Sequence, residues 1–132
     1  MEYAIGVVLS LVVASFAAIA GFDRDRAFYP TVLIVIASYY VLFAVMGASE
    51  RTLLNEIAAA SGFLLFAVLG FRKNLWLVVA ATVGHGVFDF VHHFFIQNPG
   101  VPVWWPGFCL AFDVVFGAAL AMRLTRRSVK AN

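Results

Sequence analysis

The chain has few charged residues and one cysteine. Asp, Glu, Lys and Arg together make up 12% of the 132 residues, whereas hydrophobic residues make up 64%, and the mean hydropathy is +0.96. A soluble domain of this size could not cover so much apolar surface with so few charges. The single cysteine, Cys109, excludes an internal disulfide and any site built from several thiolates.

Five long apolar runs account for nearly the whole chain. They cover about 3–22, 27–47, 52–71, 75–97 and 104–122, and short breaks with charges, Pro or Gly separate them. A membrane-crossing helix needs about 20 mostly apolar residues, and continuous rather than alternating runs favour helices over barrel strands. The sequence therefore predicts an all-α integral membrane protein in which residues 1–132 form a single five-transmembrane-helix bundle.

Basic residues are concentrated on one predicted side. Eight of the nine Lys and Arg residues fall in the first break, the third break and the tail at 123–132, and only Arg51 falls elsewhere. The positive-inside rule then predicts an N-terminus outside and a basic cytoplasmic tail, as in a bacterial inner (plasma) membrane protein. A cleaved signal peptide is the alternative for the first run, but that run lacks a basic start. The net charge of +2 needs no nucleic-acid partner, since a basic cytoplasmic anchor in the lipid bilayer explains it.

All three histidines of the chain lie in one apolar run, together with an aspartate. His85, Asp89, His92 and His93 belong to the fourth predicted span. On a helix that turns about 100° per residue, these four side chains fall within a sector of roughly 100°. Ionisable groups inside a membrane span are costly, so this polar face indicates a site.

Two further carboxylates are predicted at the same depth on neighbouring spans. Counting about 1.5 Å per residue from the outer ends places Glu56 level with the His92–His93 pair and Asp113 between Asp89 and His85. The sequence thus predicts one cluster of ionisable groups in the outer half of the bundle, made of Glu56, His85, Asp89, His92, His93 and Asp113.

Such a cluster fits two kinds of chemistry. Neutral imidazoles and carboxylates are ligands for divalent Zn, Fe or Mn, so all six residues are candidate metal ligands, with Glu56 or Asp89 as the general base of an enzyme. Alternatively, the same groups carry protons, with Tyr39 and Tyr40 extending the relay inward. This second interpretation predicts a proton- or cation-coupled transport module that works as a homo-oligomer, because five spans are few for a transporter. A third is an accessory or structural subunit of a larger membrane complex, whose polar residues bind a membrane-protein partner or hold helices together.

Aromatic residues beside the cluster indicate a class of substrate. Phe108, Phe112 and Phe116 repeat every four residues on the fifth span. An aromatic wall next to polar groups would suit an amphiphile, so the expected ligand is a lipid, a quinone or an isoprenoid.

One short motif resembles a known element of membrane enzymes. Asp89-x-x-His92-His93 is similar to the His-x-x-His-His boxes of integral-membrane desaturases and hydroxylases, with Asp in the first position. The resemblance covers one box in one helix, and those enzymes use many more histidines than the three of this chain. The sequence is therefore assigned to no family.

Overall fold

The computed structural model describes residues 1–131, with side chains up to Ser128, and these residues form helices and no strand. The helices are α1 (Glu2–Ala20), α2 (Phe28–Gly47), α3 (Glu50–Arg72), α4 (Trp76–Val91) and α5 (Trp105–Ala131). Each is long and apolar enough to cross a membrane when α4 is taken together with the 3-10 turn that extends it to Phe94. The prediction of five apolar helices is thus confirmed. Asn132 and the side chain of Lys130, which belong to the predicted tail, lie outside the described residues.

The largest boundary differences concern the last two helices. α4 ends at Val91 and continues as a single 3-10 turn, His92–Phe94, rather than as an α-helix to residue 97. Pro99 and Pro102 follow in the irregular connection, where they prevent an α-helix from continuing. α5 instead runs beyond the predicted residue 122 to Ala131, because no Pro or Gly interrupts the residues after Met122.

The first and third breaks meet at one end of the bundle, which we call the basic end. The Arg26 guanidinium donates hydrogen bonds to the carbonyl oxygens of Phe71 (2.5 Å) and Gly70 (3.3 Å). A cation suits this position, because the last carbonyl groups of α3 carry partial negative charge. Arg123, late in α5, forms an ion pair with Asp23 of the first break.

The other loops meet at the opposite end, which we call the site end. The Thr52 hydroxyl at the start of α3 donates to the carbonyl of Gln97 at 3.2 Å. Gly107, in the first turn of α5, lies against Tyr3 of α1. Consecutive helices therefore run in opposite directions, and α1, α3 and α5 all begin at the site end.

The apolar core occupies the half of the bundle nearer the basic end. Its buried members come from four helices and the residue before α4, and they are Tyr29, Leu33, Ile36, Ala67, Leu75, Val78, Ala81, Phe112, Phe116 and Leu120. Large apolar side chains are also exposed on all five helices. Water-soluble monomers rarely expose so much apolar surface, whereas the hydrocarbon of a bilayer would cover it.

Candidate metal site

Three ionisable side chains meet where α4 packs against α5. His85 and Asp89 lie one turn apart on α4, and Asp113 faces them from α5. His85 Nδ1 is 2.8 Å from Asp113 Oδ2 and 3.6 Å from Asp89 Oδ2. One ligand atom from each residue lies within 4.8 Å of the other two. We call these residues the deep triad, and their arrangement could hold a metal ion.

Close helix packing brings Asp113 to this position. At Gly86, an added Cβ would lie 2.8 Å from the Asp113 Cβ and 3.2 Å from the Leu110 Cα. Such distances are below normal carbon–carbon contact, so only glycine lets α5 approach α4 this closely. Small residues serve this purpose widely in membrane helix bundles.

The deep triad is buried, and most of its carboxylate oxygens lack partners. Asp89 and Asp113 are 0% exposed. Within the described part of the chain, both oxygens of Asp89 and Oδ1 of Asp113 lack a hydrogen-bond partner that is nitrogen or oxygen, and the Cys109 thiol is a weak polar neighbour of Asp89. Unpaired buried oxygens are costly and uncommon in proteins. Two ionised carboxylates beside one imidazole would also leave net negative charge, which a bound cation or protons would balance.

A second polar group lies closer to the site end and joins α3, the 3-10 turn and the following connection. His92 Nε2 is 2.8 Å from Glu56 Oε1, and the Asn98 amide donates to the same oxygen at 2.8 Å. The Asn98 amide also donates to the Tyr40 carbonyl at 3.1 Å, while its oxygen accepts from the Gly100 backbone at 3.2 Å. Glu56, His92 and Asn98 are named the loop group.

The end of α4 separates the two adjacent histidines. His92 is buried and its ring lies 4.2 Å from that of Tyr40, whereas His93 is exposed and lies 3.9 Å from the ring of Phe94. A 3-10 turn advances about 120° per residue rather than 100°, so neighbouring side chains diverge more strongly. The structure therefore does not bring His93 into either polar group.

Tyr40 connects the two groups. Its hydroxyl is buried without a hydrogen-bond partner and lies within electrostatic range of the Glu56, Asp89 and Asp113 carboxyl groups and of the Cys109 thiol. Tyr39 instead packs with its ring 5.1 Å from that of Trp105. Tyr40 thus lies between the groups in the site-end half of the bundle, and does not extend them toward the basic end.

The loop group borders a cavity of about 570 Å³ at the site end. His92, His93 and Asn98 line it together with residues of the connection between α4 and α5. The cavity is large enough for hydrated ions or a small molecule. The cavity therefore places His92 and Asn98 of the loop group next to the surface at this end, whereas no residue of the deep triad lines it.

The depth count from the sequence matches the observed pairs, since Glu56 lies beside His92 and Asp113 beside His85. The residues form two groups rather than one, however. The sequence pattern above does not predict Asn98 as a site residue, although Asn98-Pro99-Gly100 is a turn signal that marks this position.

The aromatic wall expected beside the cluster is largely part of the core. Phe112 and Phe116 are buried, with their rings stacked at 5.4 Å, and Phe116 also packs 4.9 Å from Tyr29.

No protein-family model, curated protein or solved structure matches this chain.

Proposed function

We propose that this chain is an integral membrane protein of a bacterial inner membrane that binds one divalent metal ion within the bilayer. The carrying observation is the deep triad, in which three ligand atoms lie within 4.8 Å of one another and the buried Asp89 carboxylate has no hydrogen-bond partner. The N-terminus would lie outside and the basic end would face the cytoplasm, as the distribution of Lys and Arg suggests.

The spacing within the deep triad suits metal coordination. Metal–ligand bonds of about 2.0–2.2 Å place neighbouring tetrahedral ligand atoms about 3.3–3.6 Å apart. The distances from His85 Nδ1 to the two aspartates are 2.8 and 3.6 Å, so an ion would replace the hydrogen bond between His85 and Asp113 with only small side-chain movements. One imidazole and two carboxylates suit Zn, Fe or Mn. Three protein ligands would leave a coordination position open for water or a substrate atom.

The loop group would control how ions reach the deep triad. His92 and Asn98 line the site-end cavity, and both bind the same oxygen of Glu56. An ion that enters from this side would meet these residues before Asp89. His93 is exposed at the edge of the cavity and lies outside both polar groups, so it would not be a ligand of the bound ion.

If the protein is an enzyme, Glu56 is the better proposed general base and Asp89 the better proposed ligand. Glu56 lies outside the deep triad, and its Oε2 atom has no hydrogen-bond partner. Glu56 would accept a proton from water as the general base, and a divalent metal held by the deep triad would supply the increased acidity of that water. The proposed substrate class remains a lipid-like molecule, such as a quinone or isoprenoid, that approaches through the bilayer or through the site-end cavity.

Metal analysis of the purified protein tests the proposal. After exposure to Zn²⁺, Mn²⁺ or Fe²⁺ and removal of free metal, the wild type should retain about one equivalent of one of these ions. Asp89→Asn and His85→Ala should weaken binding about a hundredfold or more, since each removes a direct ligand. His93→Ala is the matched control and should bind as the wild type does. A wild type without stoichiometric metal, or equal binding by all four proteins, would contradict the proposal.

A second function, proton- or cation-coupled transport, is favoured by one observation. Glu56, Asp89 and Asp113 each have an unpaired carboxylate oxygen, and all three groups lie within electrostatic range of the unpaired Tyr40 hydroxyl. A proton could pass along such a set of groups. A homo-oligomer would be needed, and the exposed small residues around Gly62 on α3 offer a surface for a second copy. Proton uptake into proteoliposomes that is lost in Asp113→Asn would support this function, and a monomer without flux would exclude it.

A further inference from the structure

A second cavity lies at the basic end, far from the polar groups. It occupies about 600 Å³ between α1, the first break and the last turns of α5. Four arginines line it, namely Arg24, Arg123, Arg126 and Arg127, and its single acidic residue is Asp23. The metal-binding proposal uses none of these residues.

The positive charge of this cavity is only partly balanced within the chain. Asp23 forms an ion pair with Arg123, which leaves three arginines lining the cavity without an acidic partner in it. Arg127 also lies within electrostatic range of Arg123, where the like charges repel. An anion placed among these guanidinium groups would relieve this repulsion.

The rest of the cavity wall is mainly apolar, with Ser15 and Tyr29 as its two hydroxyl-bearing residues. Ala14, Ala18 and Ala119 lie along facing parts of α1 and α5, and Leu11 and Met122 complete the apolar surface. These side chains belong to segments long and apolar enough to cross a membrane. The cavity therefore combines a cationic rim at the helix ends with an apolar groove that continues along the helices.

We propose that this cavity binds an anionic phospholipid, with the phosphate of the head group among Arg24, Arg126 and Arg127 and an acyl chain along the α1–α5 groove. Guanidinium groups bind phosphate oxygens through paired, charge-assisted hydrogen bonds. Basic pockets between helices at the cytoplasmic ends of membrane proteins bind anionic head groups by this chemistry. A free phosphate would use the rim alone, whereas a phospholipid also uses the groove.

Native mass spectrometry of the full chain, titrated with phospholipid in mild detergent, tests the proposal. The wild type should bind phosphatidylglycerol at least tenfold more tightly than phosphatidylcholine. The double variant Arg126→Gln/Arg127→Gln should bind phosphatidylglycerol roughly ten- to thirtyfold more weakly, given the usual contribution of a basic residue near an anionic lipid. Arg72→Gln/Lys73→Gln is the matched control, because it removes the same charge from exposed positions at the same end that do not line the cavity.

Three outcomes of this experiment would overturn the proposal. Equal weakening by the two double variants would mean that lipid responds to general surface charge rather than to this cavity. Displacement of phosphatidylglycerol by equimolar inorganic phosphate would make the site one for free phosphate. Absence of a preference over phosphatidylcholine in the wild type would remove the site altogether, and this readout does not depend on whether a variant folds.

Discussion

The deep triad and the loop group each combine one histidine with at least one carboxylate, but they differ in how many hydrogen bonds their polar atoms make. In the loop group, one Glu56 oxygen accepts two hydrogen bonds and the Asn98 amide makes three, so that Oε2 of Glu56 is the one buried side-chain atom of this group left unpaired within the described residues. In the deep triad, one short contact joins His85 to Asp113, and both oxygens of Asp89 have no partner. A satisfied polar group stabilises a fold, whereas an unsatisfied one costs stability and is retained for binding or chemistry. From this comparison we infer that the loop group mainly stabilises the fold and that the deep triad mainly binds the ligand.

The largest expected effect is a difference in stability between a variant of the loop group and a variant of the deep triad. Glu56→Ala removes the acceptor of His92 and Asn98 and should lower the free energy of unfolding by about 2 kcal/mol. Asp89→Ala removes at most a weak contact with the Cys109 thiol and should change the free energy of unfolding by less than about 1 kcal/mol in metal-free protein. Unfolding in mixed detergent micelles with a chelator present, followed by tryptophan fluorescence, measures both. Glu50→Ala, an exposed carboxylate on the same helix, is the control and should have almost no effect. If Glu56→Ala and Asp89→Ala destabilise the protein equally, the two polar groups do not differ in their contribution to stability.

A smaller effect is expected from closing the gap between α4 and α5. Gly86→Ala places a methyl group against Asp113 and should cost about 1–2 kcal/mol through overpacking. Metal binding should weaken about tenfold as well, because Asp113 would move away from His85.

Gly84→Ala provides a matched control for this substitution. Gly84 lies two residues away on the same helix, and an added Cβ there meets no atom within 4 Å. This variant should be as stable as the wild type or slightly more so, since Ala favours helix over Gly. If both alanine variants bind metal as the wild type does, helix spacing does not determine the geometry of the deep triad.

The smallest effect is expected at the residue between the groups. Tyr40→Phe removes a buried hydroxyl that has no hydrogen-bond partner and keeps the ring that packs on His92. Stability should stay within about 0.5 kcal/mol of the wild type. Metal affinity, measured by competition with a chelating dye, should also be unchanged. A strong loss of affinity would instead place the hydroxyl among the groups that hold the ion.

The helices and the depth of the polar residues could be predicted because both depend on simple periodic quantities. Apolar run length indicates a span, and the rise per residue places Glu56 near His92 and Asp113 near His85. These pairings require only that neighbouring helices run in opposite directions. No contact between specific side chains had to be known.

The division into two groups could not be predicted, because it depends on where α4 ends. A continuous helix to residue 97 would have kept His92 and His93 on one face, whereas the 3-10 turn buries one and exposes the other. The contribution of Asn98 depends in turn on how the connection folds back to Tyr40 and Glu56. The path of such a connection depends on tertiary contacts, which a periodic sequence pattern does not contain.

The contact between Gly70 and Val78 has a mechanical consequence for the site. It brings the end of α3 against the start of α4 at the basic end, where the two helices are also joined by a short turn. At the other end, side-chain bonds of Glu56 to His92 and Asn98 link them. α3 and α4 are therefore held together at both ends, by close packing at Gly70 and by hydrogen bonds at Glu56. A small rotation about the Gly70–Val78 contact produces its largest displacement near Glu56, so releasing these hydrogen bonds would let the two helices separate at the site end.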